Sequence, residues 1–112
     1  MIGIDLVEIP RMREALKNPR FRERVFSSEE RHYCDSKVDP TPHYAARFAA
    51  KEAFIKATGG KMGLFAGMSS VTVFHNPQGQ PRLKLPTKWK IRKPEISLTH
   101  TKEYAAAVCL IP

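Results

Sequence analysis

One helix-like run, Arg47-Phe48-Ala49-Ala50-Lys51-Glu52-Ala53-Phe54-Ile55-Lys56-Ala57, constrains this chain more than any other stretch. Glu52 and Lys56 stand four residues apart and so project from one helix face. At about 100° per residue, Glu52 falls between Phe48 and Ile55, on the side expected to face the core. A carboxylate there is unfavourable unless Lys56, a distant cation or a metal compensates it. Asp5 is placed similarly, inside Ile2-Gly3-Ile4-Asp5-Leu6-Val7. Two acids set in two apolar elements suggest a divalent-metal site with a lysine beside it, and hence phosphate chemistry.

The 112 residues match one domain, residues 1–112. A chain of this size buries a real core but has little surface to spare for a deep private pocket, which makes a site shared between subunits plausible. The net charge is +8, from 19 Lys and Arg against 11 Asp and Glu. That balance favours an anionic partner: nucleic acid, an acidic membrane, an acidic protein or a phosphate-rich small molecule. Cys34 and Cys109 have no metal-ligand spacing and read as free thiols of a reducing compartment. The N-terminus lacks a basic leader, its apolar stretch is broken by Asp5 and Glu8, and no apolar run approaches the roughly 20 residues of a membrane helix. A cytoplasmic protein with no membrane partner is the expectation.

The pattern along the chain predicts a buried strand over Met1–Val7 and a short helix over Arg11–Lys17, stopped at Asn18-Pro19. Arg20–Val25 is too short to assign. Ser27 reads as an N-cap, with Glu30 completing a capping box, and that helix should fade near Cys34-Asp35-Ser36. Two prolines make Val38–Pro42 a loop. His43–Thr58 is the longest helix, closed by Gly59-Gly60, and Gly59–Gly67 reads as a mobile loop. Ser69–His75 alternates like a strand, turns at Asn76-Pro77-Gln78-Gly79, and pairs back through Arg82–Leu85. Thr87–Pro94 is basic and irregular around Trp89. Glu95–His100 and Tyr104–Ile111 form two more strands about a tight turn. A strand, then helices, then antiparallel strands make an α+β fold.

Asp5 shares a strand face with Gly3 and Val7, opposite Ile2, Ile4 and Leu6, and Gly3 leaves space beside the carboxylate. Mg²⁺ takes one or two carboxylates, keeps waters and completes its shell with phosphate oxygens, which suits Asp5 and Glu52. Lys56 could neutralise a phosphoryl oxygen or protonate a leaving group; the ordinary alternative is an ion pair with Glu52. His100 ends a strand whose Ser97 and Thr99 hydroxyls face one side, with Ile96, Leu98 and His100 on the other. His32, His43 and His75 show no partner pattern and read as surface or satisfied residues. Gly59-Gly60-Lys61-Met62-Gly63 is not a phosphate loop, because it follows a helix instead of preceding one. Arg13, Lys17, Arg20 and Arg24 would fall along one stripe at helical spacing, with Met12 and Phe21 nearby: a solvated face, or a docking stripe for an acidic helix. No RNA-platform aromatic pair or zinc-finger spacing accompanies them, so no nucleic acid is expected as a partner.

Together these motifs resemble the holo-[acyl-carrier-protein] synthases, the small 4′-phosphopantetheinyl transferases. Gly3-Ile4-Asp5 with Glu8 and Arg11 is similar to the family's first motif, and Arg47–Ala53 with Lys56-Ala57 to its second. Gly79-x-Pro81, Ser97-Leu98-Thr99-His100 and Tyr104–Ala107 are similar to its C-terminal half. The resemblance covers essentially the whole chain and implies a 4′-phosphopantetheinyl transferase-like fold. It implies transfer of phosphopantetheine from coenzyme A to a serine of an apo acyl carrier protein, with Mg²⁺ on the pyrophosphate and release of adenosine 3′,5′-bisphosphate, in fatty acid biosynthesis. It implies Asp5 and Glu52 as metal ligands and Lys56 as charge stabiliser or general acid. His100, Ser97 and Thr99 would lie by the nucleotide, and Arg47 would serve the coenzyme phosphates. Arg11, Arg13, Arg20, Phe21 and Arg24 would meet an acidic carrier-protein helix. It also implies a homotrimer with each site at a subunit interface.

Thr58, Gly60-Lys61 and Thr99 depart from the family's usual residues and bear on the loop contacts rather than on the metal pair. A water on the metal, Glu30 or His32 could activate the serine. The competing reading from another class is a basic nucleic-acid-binding module without activity, which the net charge favours and the embedded Asp5 and Glu52 oppose. Another enzyme reading is a carrier-protein hydrolase or other phosphodiester-cleaving metalloenzyme.

Overall fold

In the computed structural model, residues 1–60 and 67–112 are described. The order is β1 (Ile2–Glu8), α1 (Ile9–Ala15), α2 (Pro19–Val25), α3 (Ser28–Asp35), α4 (Pro40–Ala57), β2 (Thr72–His75), β3 (Pro81–Lys84), β4 (Glu95–His100) and β5 (Tyr104–Leu110), with 3₁₀ turns at Met68–Ser70 and Thr87–Trp89. The α+β layout is as expected. Segment 20–25, too short to assign from sequence, is helical because Asn18 caps it, its side chain accepting from the Arg20 amide at 2.9 Å, and Pro19 preorganises the first turn. Ser27 and Glu30 form the expected capping box.

Helix α4 starts earlier than the prolines suggest. The expected loop at 38–42 is corrected: Asp39 caps the helix and Pro40 and Pro42 sit in its first turn, where the missing N–H groups have no intrahelical partner. At its other end Gly59 and Gly60 adopt φ of 76° and 83°. Their amides donate to Lys56 O at 3.0 Å and Ile55 O at 2.9 Å, the two bonds of a Schellman motif. The rest of the expected glycine loop, residues 61–66, lies outside the described residues.

Strands β1, β5 and β4 form an antiparallel sheet in that order, while β2 and β3 make a separate hairpin. Gly3, Asp5 and Val7 of β1 pair with Cys109, Ala107 and Ala105 of β5 and turn toward α4. The helix meets this face with Ala46, Ala49, Ala50, Ala53 and Ala57, whose small side chains let helix and sheet approach closely. Gly3 is part of that fit. A Cβ there would lie 1.9 Å from Ala53 O, so its bare Cα makes room for the helix backbone more than for the Asp5 carboxylate. The opposite sheet face is uncovered: Ile2, Ile4 and Leu6 are 69%, 68% and 64% exposed. The expectation of a buried strand over Met1–Val7 is corrected: only the face toward α4 is buried, because no element covers the other.

Candidate active site

Asp5, near the middle of β1, and Glu52, on the adjoining flank of α4, meet at a cleft of about 310 Å³. Its walls include Glu8 and Arg11, with Phe21 and Phe48 closing the apolar side. The expectation that the Phe48–Glu52–Ile55 face points into the core is corrected. The alanines and Phe54 take the core, and the Glu52 face is half-buried at its margin. This placement keeps the carboxylate reachable from the cleft. Glu52 has no hydrogen-bond or ion-pair partner among the described residues. Burial pushes its carboxyl above the usual range, the nearby Asp5 adds to this, and Lys56 opposes it.

Lys56 does not close the local pair with Glu52. Its Nζ donates to Asp5 Oδ1 at 3.0 Å and to the Ile4 carbonyl at 3.0 Å, bridging α4 to β1 across 51 residues of sequence. Two carboxylates facing one cleft, one of them unpaired, with a single ammonium beside them, form an oxygen-rich donor set. It suits a hard divalent cation whose remaining positions are filled by water and phosphate. Among the described residues no three His, Cys, Asp or Glu side chains cluster as a complete metal site. Asp5 and Glu52 could therefore hold such an ion only together with outside oxygens.

A second cleft, of about 230 Å³, opens on a different flank of α4. Arg47 precedes Glu52 by five residues, about 140° away around the helix. Arg47, Thr99 and His100 line it together with Tyr33, His43 and His75. His43 and His75, read from sequence as surface or satisfied residues without a partner pattern, share this cleft, with His43 half-buried and His75 exposed. The His43 ring lies 6.4 Å from His100 and 6.1 Å from Tyr33, and the His75 ring 5.9 Å from Tyr33. Their common origin is the docking of α3, the β2–β3 hairpin and β4 around the start of α4. Only the i,i+4 spacing of His43 and Arg47 hinted at it. Burial, then Arg47 and Lys37, hold both imidazoles below the usual histidine range. Arg47 is 2% exposed, lies over the Tyr33 ring at 4.3 Å and donates to the His43 carbonyl at 3.3 Å, while its Nε has no partner. The guanidinium thus keeps a donor that no described residue accepts from. Ser97 is exposed on the opposite sheet face and does not enter this cleft.

Glu30 and His32 differ in their availability as bases. Glu30 is buried, accepting from Lys51 Nζ, from Val73 N at 2.9 Å and from Ser27 N at 2.9 Å, so the capping acid is also the centre of the core's ion pair and cannot reach a substrate. His32 is exposed. Lys51, 1% exposed, also donates to Val25 O at 2.7 Å and Met68 O at 2.9 Å, a role with no local sequence signal. The predicted basic stripe is broken between two helices. Arg13 is spent on Asp39 at 3.2 Å and Thr41 Oγ1 at 3.1 Å, and Lys17 on Glu14 at 3.0 Å. Arg11 pairs loosely with Glu8 at 3.7 Å on the rim of the first cleft. Arg20 and Arg24 are exposed without ion pairs among the described residues, and Phe21 is half-buried between Phe26 and Phe48.

Carboxylates and a lysine thus stand at one flank of α4, and a buried arginine among imidazoles at another. A family profile described as the 4′-phosphopantetheinyl transferase superfamily matches residues 1–109, and the chain belongs to that superfamily, among its holo-[acyl-carrier-protein] synthases. The holo-[acyl-carrier-protein] synthase of Chlamydia pneumoniae is 40% identical over 115 residues, covering 97% of this chain and 93% of that protein. A Helicobacter pylori holo-[acyl-carrier-protein] synthase, solved in complex with coenzyme A, has a TM-score of 0.88 at 29% identity and full coverage of both chains. A Bacillus anthracis holo-(acyl-carrier-protein) synthase, solved with coenzyme A (3′,5′-ADP), has a TM-score of 0.86 at 32% identity, covering 98% of this chain and 93% of that one.

Proposed function

We propose that the enzyme transfers 4′-phosphopantetheine from coenzyme A to a serine hydroxyl of an apo acyl carrier protein, with the chemistry at the Asp5–Glu52 cleft. The observation that carries this reading is the meeting of Asp5, Glu52 and Lys56 across β1 and α4. Asp5 and Glu52 would hold a divalent cation, Mg²⁺ by family resemblance. Such an ion, when bound, supplies neutralisation of pyrophosphate charge. Lys56, tethered by Asp5 and the Ile4 carbonyl, holds its ammonium beside that position and stabilises charge or protonates the leaving oxygen. The serine hydroxyl gives up its proton to water as its oxygen forms a bond to the pantetheine-side phosphorus. The bond to the adenosine-side phosphate breaks, and adenosine 3′,5′-bisphosphate leaves with the electron pair.

Arg47, His100 and Thr99 would bind the nucleotide end, and the unpaired Nε of Arg47 supports an anion there. Arg11, Arg20, Phe21 and Arg24 would receive the carrier protein. The uncovered face of Ile2, Ile4, Leu6, Val108 and Leu110 supports self-association, and we infer a homotrimer in which neighbouring subunits complete each site. The cytoplasm and fatty acid biosynthesis are the matching setting. Incubation with coenzyme A, Mg²⁺ and an apo carrier protein, read by intact mass, tests the activity. A gain of one phosphopantetheine is expected, and no gain, with oligonucleotide bound instead, would favour a binding module.

A further inference from the structure

The chain's positive charge is segregated. No acidic residue occurs between Glu52 and Glu95, a stretch holding eight Lys and Arg, whereas the remainder holds eleven cations and eleven acids. The entire net charge of +8 therefore belongs to this one stretch. The docking arginines of α1 and α2 lie in the balanced part.

Most of that charge stands exposed on one strip of chain, from the end of β3 to the start of β4. Lys84 at the end of β3, then Lys88, Lys90, Arg92 and Lys93 before β4, are exposed, and none has an ion pair or hydrogen bond among the described residues. The strip is anchored from below. Leu85, Trp89 and Ile91 pack against the core, the Trp89 ring stacks on Phe54 at 6.4 Å and 6°, and Pro94 is buried. Along 88–92 the cations alternate with these inward anchors. Five like charges thus stand exposed within ten residues of chain, with no ion pair among the described residues.

We propose that this strip binds an anionic lipid surface, docking the enzyme peripherally on a membrane. A stable protein interface needs an apolar centre, yet the strip's large apolar side chains are turned inward. A single-stranded nucleic acid needs a stacking platform, and Trp89 is occupied by Phe54. A layer of anionic headgroups needs neither, because each Lys or Arg near such a surface contributes independently. The attachment is peripheral, since no described helix is long and apolar enough to cross a membrane.

The full-length protein is mixed with vesicles of phosphatidylcholine containing phosphatidylglycerol and with vesicles of phosphatidylcholine alone, and binding is read by co-sedimentation. Trp89, the chain's one tryptophan, reports contact by energy transfer to dansyl-labelled headgroups. Binding is expected to the anionic vesicles only, with energy transfer, weakening steeply with salt. The joint variant Lys88→Gln, Lys90→Asn, Arg92→Gln and Lys93→Gln should weaken it by roughly six-hundredfold, from about fivefold for each of the four charges. Asn is used at position 90 because its φ of 49° suits that residue. The unfolding midpoint and transfer activity should be unchanged, whereas Arg20→Gln with Arg24→Gln should leave vesicle binding intact. Equal binding to neutral vesicles, binding without energy transfer, insensitivity to the joint variant, or an oligonucleotide that binds while anionic vesicles do not, would each overturn the proposal.

Discussion

Gly3→Ala tests the packing that brings the two acids together. The added Cβ would stand 1.9 Å from Ala53 O, 2.7 Å from Ala57 N and 3.0 Å from Ala53 C, against an ordinary contact of 3.4 Å or more. These are helix backbone atoms, which cannot rotate away, so β1 and α4 must separate by about 1.5 Å, the difference between 3.4 and 1.9 Å. Losing a glycine's freedom in the unfolded chain would by itself stabilise by about 0.4–1 kcal/mol. Overpacking of this kind destabilises by about 1–3 kcal/mol or more, so the clash wins and the net change is roughly 2 kcal/mol of destabilisation. Asp5 lies two residues along the same strand face and moves with β1, away from Glu52 and α4. A misplacement of about 1 Å at a reacting centre lowers rates on the order of a hundredfold. Urea unfolding should show a midpoint lowered by about 1–2 M at an m-value of roughly 1–2 kcal/mol/M, and the transfer assay a loss at saturating coenzyme A. A wild-type midpoint together with wild-type turnover would refute the close-approach argument.

The other predictions address the acids, the core ion pair, the histidines and the docking cations. Asp5→Ala and Glu52→Ala should abolish transfer and leave the far-ultraviolet dichroism unchanged, whereas Lys56→Ala should retain metal affinity by calorimetry while its rate falls. Because burial and Asp5 raise the Glu52 carboxyl, the metal-free protein should lose stability as pH rises from the usual carboxyl value of 4.5 through the raised one, and Glu52→Gln should remove that slope in thermal melts. Lys51→Met strands the Glu30 carboxylate in the core and should lower stability by about 3–5 kcal/mol, with partial rescue by Glu30→Gln. His43 and His75 have folded pKa values below 6.5, so the unfolded chain takes up their protons first. Stability should decline on acidification through 6.5 toward the lower folded values, and His43→Gln with His75→Gln should flatten the decline. Arg24→Glu should raise the carrier-protein KM in a salt-dependent way and spare the coenzyme A KM. Arg13→Glu should also destabilise the fold, since Arg13 braces Asp39 at the start of α4.

What the sequence by itself determined is what short-range physics decides. The Ser27–Glu30 capping box, the Gly59-Gly60 ending of α4 and the two faces of β1 are settled by hydrogen bonds or periodicities spanning a few residues, and each was legible. Asp5 and Glu52 were legible as a candidate pair because an acid within an apolar pattern is conspicuous at any distance. Position within the helix was less so: the prolines at 40 and 42 read as a loop because their first-turn role depends on the Asp39 cap. Only the tertiary structure decided who meets whom. Lys56 had an acid four residues away and chose Asp5, because β1 crosses the flank of α4 where that ammonium emerges. Glu30 was a cap by its spacing and became a buried ion-pair partner only when Lys51 came in from α4 and Val73 from β2. His43, His75 and His100 lie on three elements, and no local pattern joins them; the packing of those elements around Arg47 does. Burial and pairing are properties of the assembled layers, so a residue's charge is written in the sequence while its partner is fixed by which surfaces the fold brings into contact.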